Sequence, residues 1–147
     1  MAKIKFGIDL GTTNSAISKI EKGKVKIMKS DIQKDTMQSC VSFNKKQTIS
    51  VGERSYNQLK RDRLQSLKAK KSGDDNVFIE FKRTMGSDKK YASSFMNKEY
   101  SSEELSSEVL KKLKSFVTDE EFQSVVVTHP AMFNDNQTAA TIEAAKL

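Results

Sequence analysis

Residues 7–15, Gly7-Ile8-Asp9-Leu10-Gly11-Thr12-Thr13-Asn14-Ser15, place a carboxylate, a glycine and two hydroxyls in close succession. That combination suits a phosphate group held together with a cation. Gly11 has no Cβ, so a turn there can take a positive φ and let the backbone approach a bulky anion. The amides and hydroxyls of Thr12 and Thr13 are then available to donate to phosphate oxygens. Asp9 would repel a phosphate unless a cation lay between them. A carboxylate there fits if it holds Mg²⁺, directly or through its water shell, because that ion neutralises β- and γ-phosphate charge. The segment lacks the Gly-Lys-Ser/Thr ending of a Walker A loop and joins strand to strand. An ordinary polar hairpin is the competing reading.

The elements around the loop follow from apolar spacing. Ile4 to Leu10 reads as a strand, Gly11-Thr12-Thr13 as a tight turn, and Ser15 to Ile20 as an antiparallel return strand. Glu21-Lys22-Gly23-Lys24 is a second turn, and Val25, Ile27 and Met28 form a third strand, giving a meander. Between Ser30 and Tyr100 the pattern weakens. Short strands are predicted at Val41–Phe43 and Thr48–Val51, a helix at Tyr56–Leu67, and a loop at Ser72-Gly73-Asp74-Asp75. Ser101-Ser102-Glu103-Glu104 then has capping-box spacing, and Leu105, Val109, Leu110, Leu113, Phe116 and Val117 recur on one face at helical period. Val125-Val126-Val127 is a β-branched run of the kind buried on both faces of a sheet. His129-Pro130 ends it, and Asn134 or Asp135 can cap a last helix from Asn136 through Ala145. Three strands, an insertion, a helix, a strand parallel to the first and a helix make a mixed α/β sheet.

Composition narrows the classes. The 147 residues carry 26 Lys and Arg against 19 Asp and Glu, a net charge of +7, which invites a nucleic-acid reading. The densest cluster, Lys60, Arg61, Arg63, Lys68, Lys70 and Lys71, contains no aromatic residue to stack a base, and Lys outnumbers the bidentate Arg in the chain. A solvated helix face and loop is the better reading, with no specific nucleic-acid partner. No stretch approaches the roughly 20 apolar residues of a membrane span, so a cytoplasmic chain without a membrane partner is expected. The single Cys40 and single His129 cannot form an internal disulfide or a structural zinc site. Cys40 is expected to be a small packed residue, and His129 is assigned no role.

Three segments together resemble a known family. Residues 7–15 look like the first phosphate-binding loop of the actin-like ATPase superfamily, and Thr-Thr-Asn-Ser is similar to its Hsp70 chaperone branch. Phe81-Lys82-Arg83-Thr84-Met85-Gly86 resembles the Hsp70 segment whose lysine reaches the γ-phosphate and attacking water. Val125 to Asp135 resembles the strand, hinge proline and helix start that follow, and Val51-Gly52-Glu53 sits where the family has a Val-Gly-Glu turn. The resemblance implies the first lobe of an actin-like (ribonuclease H-like) ATPase fold. It implies a discontinuous core, 1–31 and 101–147, with an inserted α+β subdomain over 32–100. Asp9 would be the cation-site acid, Gly11, Thr12 and Thr13 the phosphate cradle, Lys82 the catalytic lysine and Pro130 the hinge. By residue type alone, Lys82 would be one more solvated lysine.

The same resemblance implies ATP or ADP with Mg²⁺, and admits K⁺, in a complete domain that hydrolyses ATP to control peptide binding. Its partners would be unfolded client polypeptides, a J-domain co-chaperone and a nucleotide-exchange factor. The second lobe and the substrate-binding domain would lie beyond the sequence given, so this chain is not expected to close around ATP unaided. An exposed sheet edge would favour self-association or low stability. Thr138 stands where the family usually has an arginine that relays the nucleotide signal, Met132 where it has an aromatic residue, and the proline expected near Gln38 is missing. A sugar or acetate kinase of the same superfamily would share the first loop without Phe-Lys-Arg-x-Met-Gly. A non-catalytic truncated binding module is the other alternative.

Overall fold

The computed structural model describes residues 4–69 and 76–147. The predicted loop at Ser72–Asp75 and the basic residues Lys70 and Lys71 lie outside the described residues. Strands β1 (Phe6–Asp9), β2 (Asn14–Glu21) and β3 (Lys24–Ile27) form the expected antiparallel meander, with Ile8 opposite Ile17 and Ile20 opposite Val25. The predicted strands near Val41 and Val51 are β5 (Cys40–Phe43) and β6 (Ile49–Val51), and the helix after them is α1 (Glu53–Ala69). The exposed positions of Lys60, Arg61, Arg63 and Lys68 on α1 agree with a solvated face.

Ser101 caps α2 (Ser102–Lys114) through the reciprocal pair predicted from its spacing: its side chain accepts from the Glu104 amide, and Glu104 accepts from the Ser101 amide. A cap of this kind is worth about 1 kcal/mol. Asn134 does the same for α3 (Asp135–Lys146) with Gln137. The covered face of the meander carries Phe6, Ile8, Leu10, Ile17 and Lys19, alternating along the strands as a half-buried sheet requires. Leu105, Val109, Leu110 and Leu113 of α2 and Ala140 and Ala144 of α3 complete the core over Ile8, Leu10 and Ile17. The small alanines let α3 lie close against α2.

The last strand of the main sheet, β10 (Val126–Thr128), runs parallel to β1, pairing Gly7 with Val126 and Asp9 with Thr128. One expectation fails there. The valine run is not buried on both faces: Val126 is 53% exposed, whereas Val125 and Val127 are half-buried. The strand order β10-β1-β2-β3 makes β10 an edge, and among the described residues the helices cover only one side of the sheet.

The middle of the chain holds elements the sequence pattern did not announce. These are β4 (Met37–Gln38), β7 (Val77–Ile79), a 3₁₀ helix at Phe81–Thr84, and the hairpin β8 (Lys90–Ser93) and β9 (Lys98–Ser101). A second sheet, β6-β5-β7, is joined to the main core by Phe43, whose ring stacks on Tyr100 at 4.5 Å. Cys40 is fully packed, as expected of a small apolar residue, and burial pushes its thiol up to about 12. Strand β4 is only two residues long, yet it pairs with the start of β2 and thereby brings the following Ser39 under the Gly11 turn.

Candidate functional site

The predicted site residues meet at the carboxyl ends of the parallel strands β1 and β10. Open α/β sheets commonly bind ligands at that end. Asp9 closes β1 with its side chain exposed, and Thr128 Oγ1 at the end of β10 donates to Asp9 Oδ1 at 2.9 Å. The loop that follows is braced from below. The Gly11 amide donates to Ser15 Oγ at 3.1 Å, Ser39 Oγ donates to the Gly11 carbonyl at 2.8 Å, and the Ser39 amide donates to the Thr13 carbonyl at 2.8 Å. Thr12 is half-buried and Thr13 exposed.

Gly11 is required for a reason other than the predicted one. Its φ is not among the positive values, which at glycine occur at Gly23, Gly52 and Gly86. The constraint is close approach: a Cβ at Gly11 would lie 1.9 Å from the Asn14 carbonyl oxygen. The loop doubles back so tightly that only a bare α-carbon fits.

Lys82 departs furthest from its residue type. It is 4% exposed, its Nζ donates to the Leu10 carbonyl, and its ammonium lies 5.4 Å from the centre of the Phe133 ring. The solvated side chain expected of an isolated lysine is therefore overturned. Two anchors account for this. Phe81 and Met85 are buried on either side of the 3₁₀ turn and fix its orientation. Gly86, with φ +73°, donates its amide to the buried carboxylate of Glu103 on α2 at 2.9 Å, and a Cβ there would meet the Asn136 backbone of α3 at 2.9 Å. Residues 81–86 thus form a turn wedged between α2 and α3 with its lysine pressed under the Gly11 loop.

Burial lowers the Lys82 pKa from its ordinary 10.5, and the negative charge of Asp9 partly opposes the shift. Stability is linked to that shift. Between the lowered folded value and 10.5 the unfolded chain keeps a proton that the folded chain has lost, so folding becomes more favourable as pH rises through this window. Urea unfolding of the chain and of Lys82→Met across alkaline pH should show the difference in stability rising, by at most about 1.4 kcal/mol per pH unit for one proton. A flat difference would mean that Lys82 is not desolvated.

Other side chains at the site were given no role by the sequence. Ser15, Ser39, Thr128, Phe133 and Glu103 act through contacts between segments far apart in the chain. Lys19, buried on β2, binds Asp119 and Glu120, which raise its pKa, and Phe6 stacks on Phe122 at 4.1 Å. These contacts pin the approach to β10. Pro130 is exposed two residues after the end of β10, and its carbonyl accepts from the Phe133 amide at 3.0 Å. His129 stacks on Phe133 at 5.9 Å. Met132 is 95% exposed, and Thr138 lies in the first turn of α3 with no charge to offer.

The donor set suits a Mg²⁺–phosphate group: a hard carboxylate oxygen at Asp9, a buried cation at Lys82, and a loop with its carbonyls turned inward. Among the described residues no group of three or more His, Cys, Asp or Glu is placed to hold a metal ion. No described helix is long and apolar enough to cross a membrane.

Comparison with known proteins identifies the family of the chain. The family described as Hsp70 protein matches residues 5–147. A chaperone protein dnaK of Trieres chinensis is 33% identical over 172 aligned residues, covering 100% of this chain and 26% of that protein. The chaperone protein DnaK of Ureaplasma urealyticum is 34% identical over 142 residues, covering 95% of this chain and 21% of its own length. A third, the dnaK of Thalassiosira pseudonana, is 31% identical, covering 96% and 26%. The chain thus spans about a quarter of the length of these curated relatives. Its loop, its buried lysine and a family match running from residue 5 to residue 147 agree, and the chain belongs to the Hsp70 family.

Proposed function

We propose that this chain supplies the phosphate side of an ATP-binding and ATP-hydrolysing unit in an Hsp70-type chaperone. The observation that carries the reading is Lys82: a buried ammonium bonded to the Leu10 carbonyl beneath the Gly11 loop, within the field of Asp9. A desolvated cation is costly to keep, and its position beside a loop of backbone donors accounts for that cost if an anion completes the site. Thr12 and Thr13 would offer amides and hydroxyls to phosphate oxygens. Asp9, oriented by Thr128, would hold Mg²⁺ through its water shell, and that ion would neutralise phosphate charge. Lys82 would place a fixed positive charge where negative charge moves during phosphoryl transfer.

In this reading residues 1–31 and 101–147 form the core and 32–100 an insertion, with β4 the part of the insertion that reaches back to the loop. Lobe movement driven by hydrolysis, with Pro130 as hinge, would control binding of client polypeptides in the complete cytoplasmic protein, with J-domain and nucleotide-exchange partners. The test is an amide NMR titration of the ¹⁵N-labelled chain with Mg²⁺–ATP and Mg²⁺–ADP. Shifts should concentrate at Gly11, Thr12, Thr13 and Lys82 and disappear in Asp9→Asn. Bound nucleotide that shifts amides elsewhere and leaves those unmoved would defeat the proposal.

A further inference from the structure

Gly11 is held in a closed ring of hydrogen bonds whose direction follows from counting protons. Ser39 Oγ spends its only proton on the Gly11 carbonyl, 2.8 Å away. Ser15 Oγ, 2.8 Å from Ser39 Oγ, must then be the donor in that pair. Ser15 Oγ in turn accepts from the Gly11 amide. The ring therefore runs one way, from Gly11 N–H to Ser15, to Ser39, and back to the Gly11 carbonyl. Both serines are buried, and bonds aligned head to tail in a medium of low polarity polarise one another.

The ring also settles where the neighbouring amides face. A planar trans peptide points its N–H opposite to its carbonyl, and the described chain has no cis bonds. The Gly11 carbonyl is tied to Ser39 and the Thr13 carbonyl to the Ser39 amide. The Thr12 and Asn14 N–H groups, on the far edges of those two peptides, are thereby turned away from Ser39. Lys82 anchors the Leu10 carbonyl in the same manner. No flexible side chain has to reorganise for the loop to present its donors.

We propose that Ser39, brought in by β4 from 28 positions along the chain, is a positioning residue for the phosphate loop, presetting the Thr12 amide through the Gly11 peptide. The identity of the anion rests on the nucleotide reading above, whereas the brace rests on the hydrogen bonds alone. Two measurements on the same variants separate them. Amide hydrogen exchange reads the brace without ligand, and titration with Mg²⁺–tripolyphosphate reads its consequence. In Ser39→Ala, exchange at Gly11 should accelerate about tenfold and tripolyphosphate affinity fall about five- to tenfold, the size expected when the Gly11 carbonyl loses its buried hydrogen bond. Val109 and Leu110 in α2 should exchange as before, and Ser39→Thr should recover most of both effects.

Unchanged exchange at Gly11, or acceleration of equal size at Val109, would overturn the proposal, the second because it would mean a general loss of stability. If Ser39→Ala does not fold, Ser15→Ala opens the same ring at its other hydroxyl and is read by the same criteria. Wild-type chain that ignores tripolyphosphate would count against the nucleotide reading, and the exchange result would still decide for or against the brace.

Discussion

Replacing Lys82 with methionine should weaken binding of Mg²⁺–tripolyphosphate about 10- to 100-fold while leaving the chain as stable as before, or more so. The two parts come from one fact, the burial of an ammonium that has a backbone carbonyl as its hydrogen-bond acceptor. Loss of a charge-assisted contact to an anion costs about 1.5–3 kcal/mol of binding, which corresponds to that fall in affinity. Folding responds differently. Methionine removes a desolvation cost of several kcal/mol and keeps the packing of the stem, at the expense of one unsatisfied Leu10 carbonyl, about 1–3 kcal/mol. In the complete ATPase proposed above, the same change should lower kcat by about 10²–10³, the cost of removing one preorganised donor from a transition-state site. Calorimetric titration alongside urea unfolding checks the pair. Equal affinity in both proteins, or loss of binding that merely tracks loss of stability, would remove Lys82 from the site.

Gly11→Ala should be the most damaging alanine substitution among the described glycines. The added Cβ would lie 1.9 Å from the Asn14 carbonyl oxygen and 3.0 Å from its carbon, and both are backbone atoms that cannot rotate away. The β1–β2 turn must open, which breaks the ring through Ser15 and Ser39 and shifts the Leu10 carbonyl from Lys82. A loss of about 3 kcal/mol or more in urea unfolding is expected, together with loss of tripolyphosphate binding. Gly23→Ala is the control. Gly23 has φ +76° but no atom within 4 Å of the place a Cβ would take, so only the left-handed backbone cost of about 1 kcal/mol applies. Equal effects at the two positions would show that conformational freedom, and not close approach, is what Gly11 provides.

The two glycines illustrate how far local pattern reaches. A turn at Gly11 was legible because apolar alternation stops there and resumes at Ser15. The kind of constraint was not, since backbone proximity to Asn14 depends on the path the loop takes. The meander, α2 and α3 were legible for a similar reason: their periodicity and capping pairs act over a few residues. The valine run at 125–127 identified a strand, but exposure of Val126 follows from its place at the sheet edge. Strands β4, β8 and β9 are short and polar enough that only their partners make them strands, and β7, although it reads Val-Phe-Ile, is only three residues long.

Local sequence was enough for the order of the main elements, the position of the Gly11 turn and, through three segments, the family. These rest on interactions among near neighbours or on residue types at fixed spacing. Packing between distant segments was needed to bury Lys82, to let Thr128 orient Asp9, and to close a ring of Ser39 and Ser15 on Gly11. Each of these joins positions from 24 to 119 apart, or turns on a burial that distant segments create. A lysine carries the same local signal whether it ends in water or under a loop. Its environment is fixed by Phe81, Met85 and Phe133 packing around it, and with that environment the charge it carries beneath the loop.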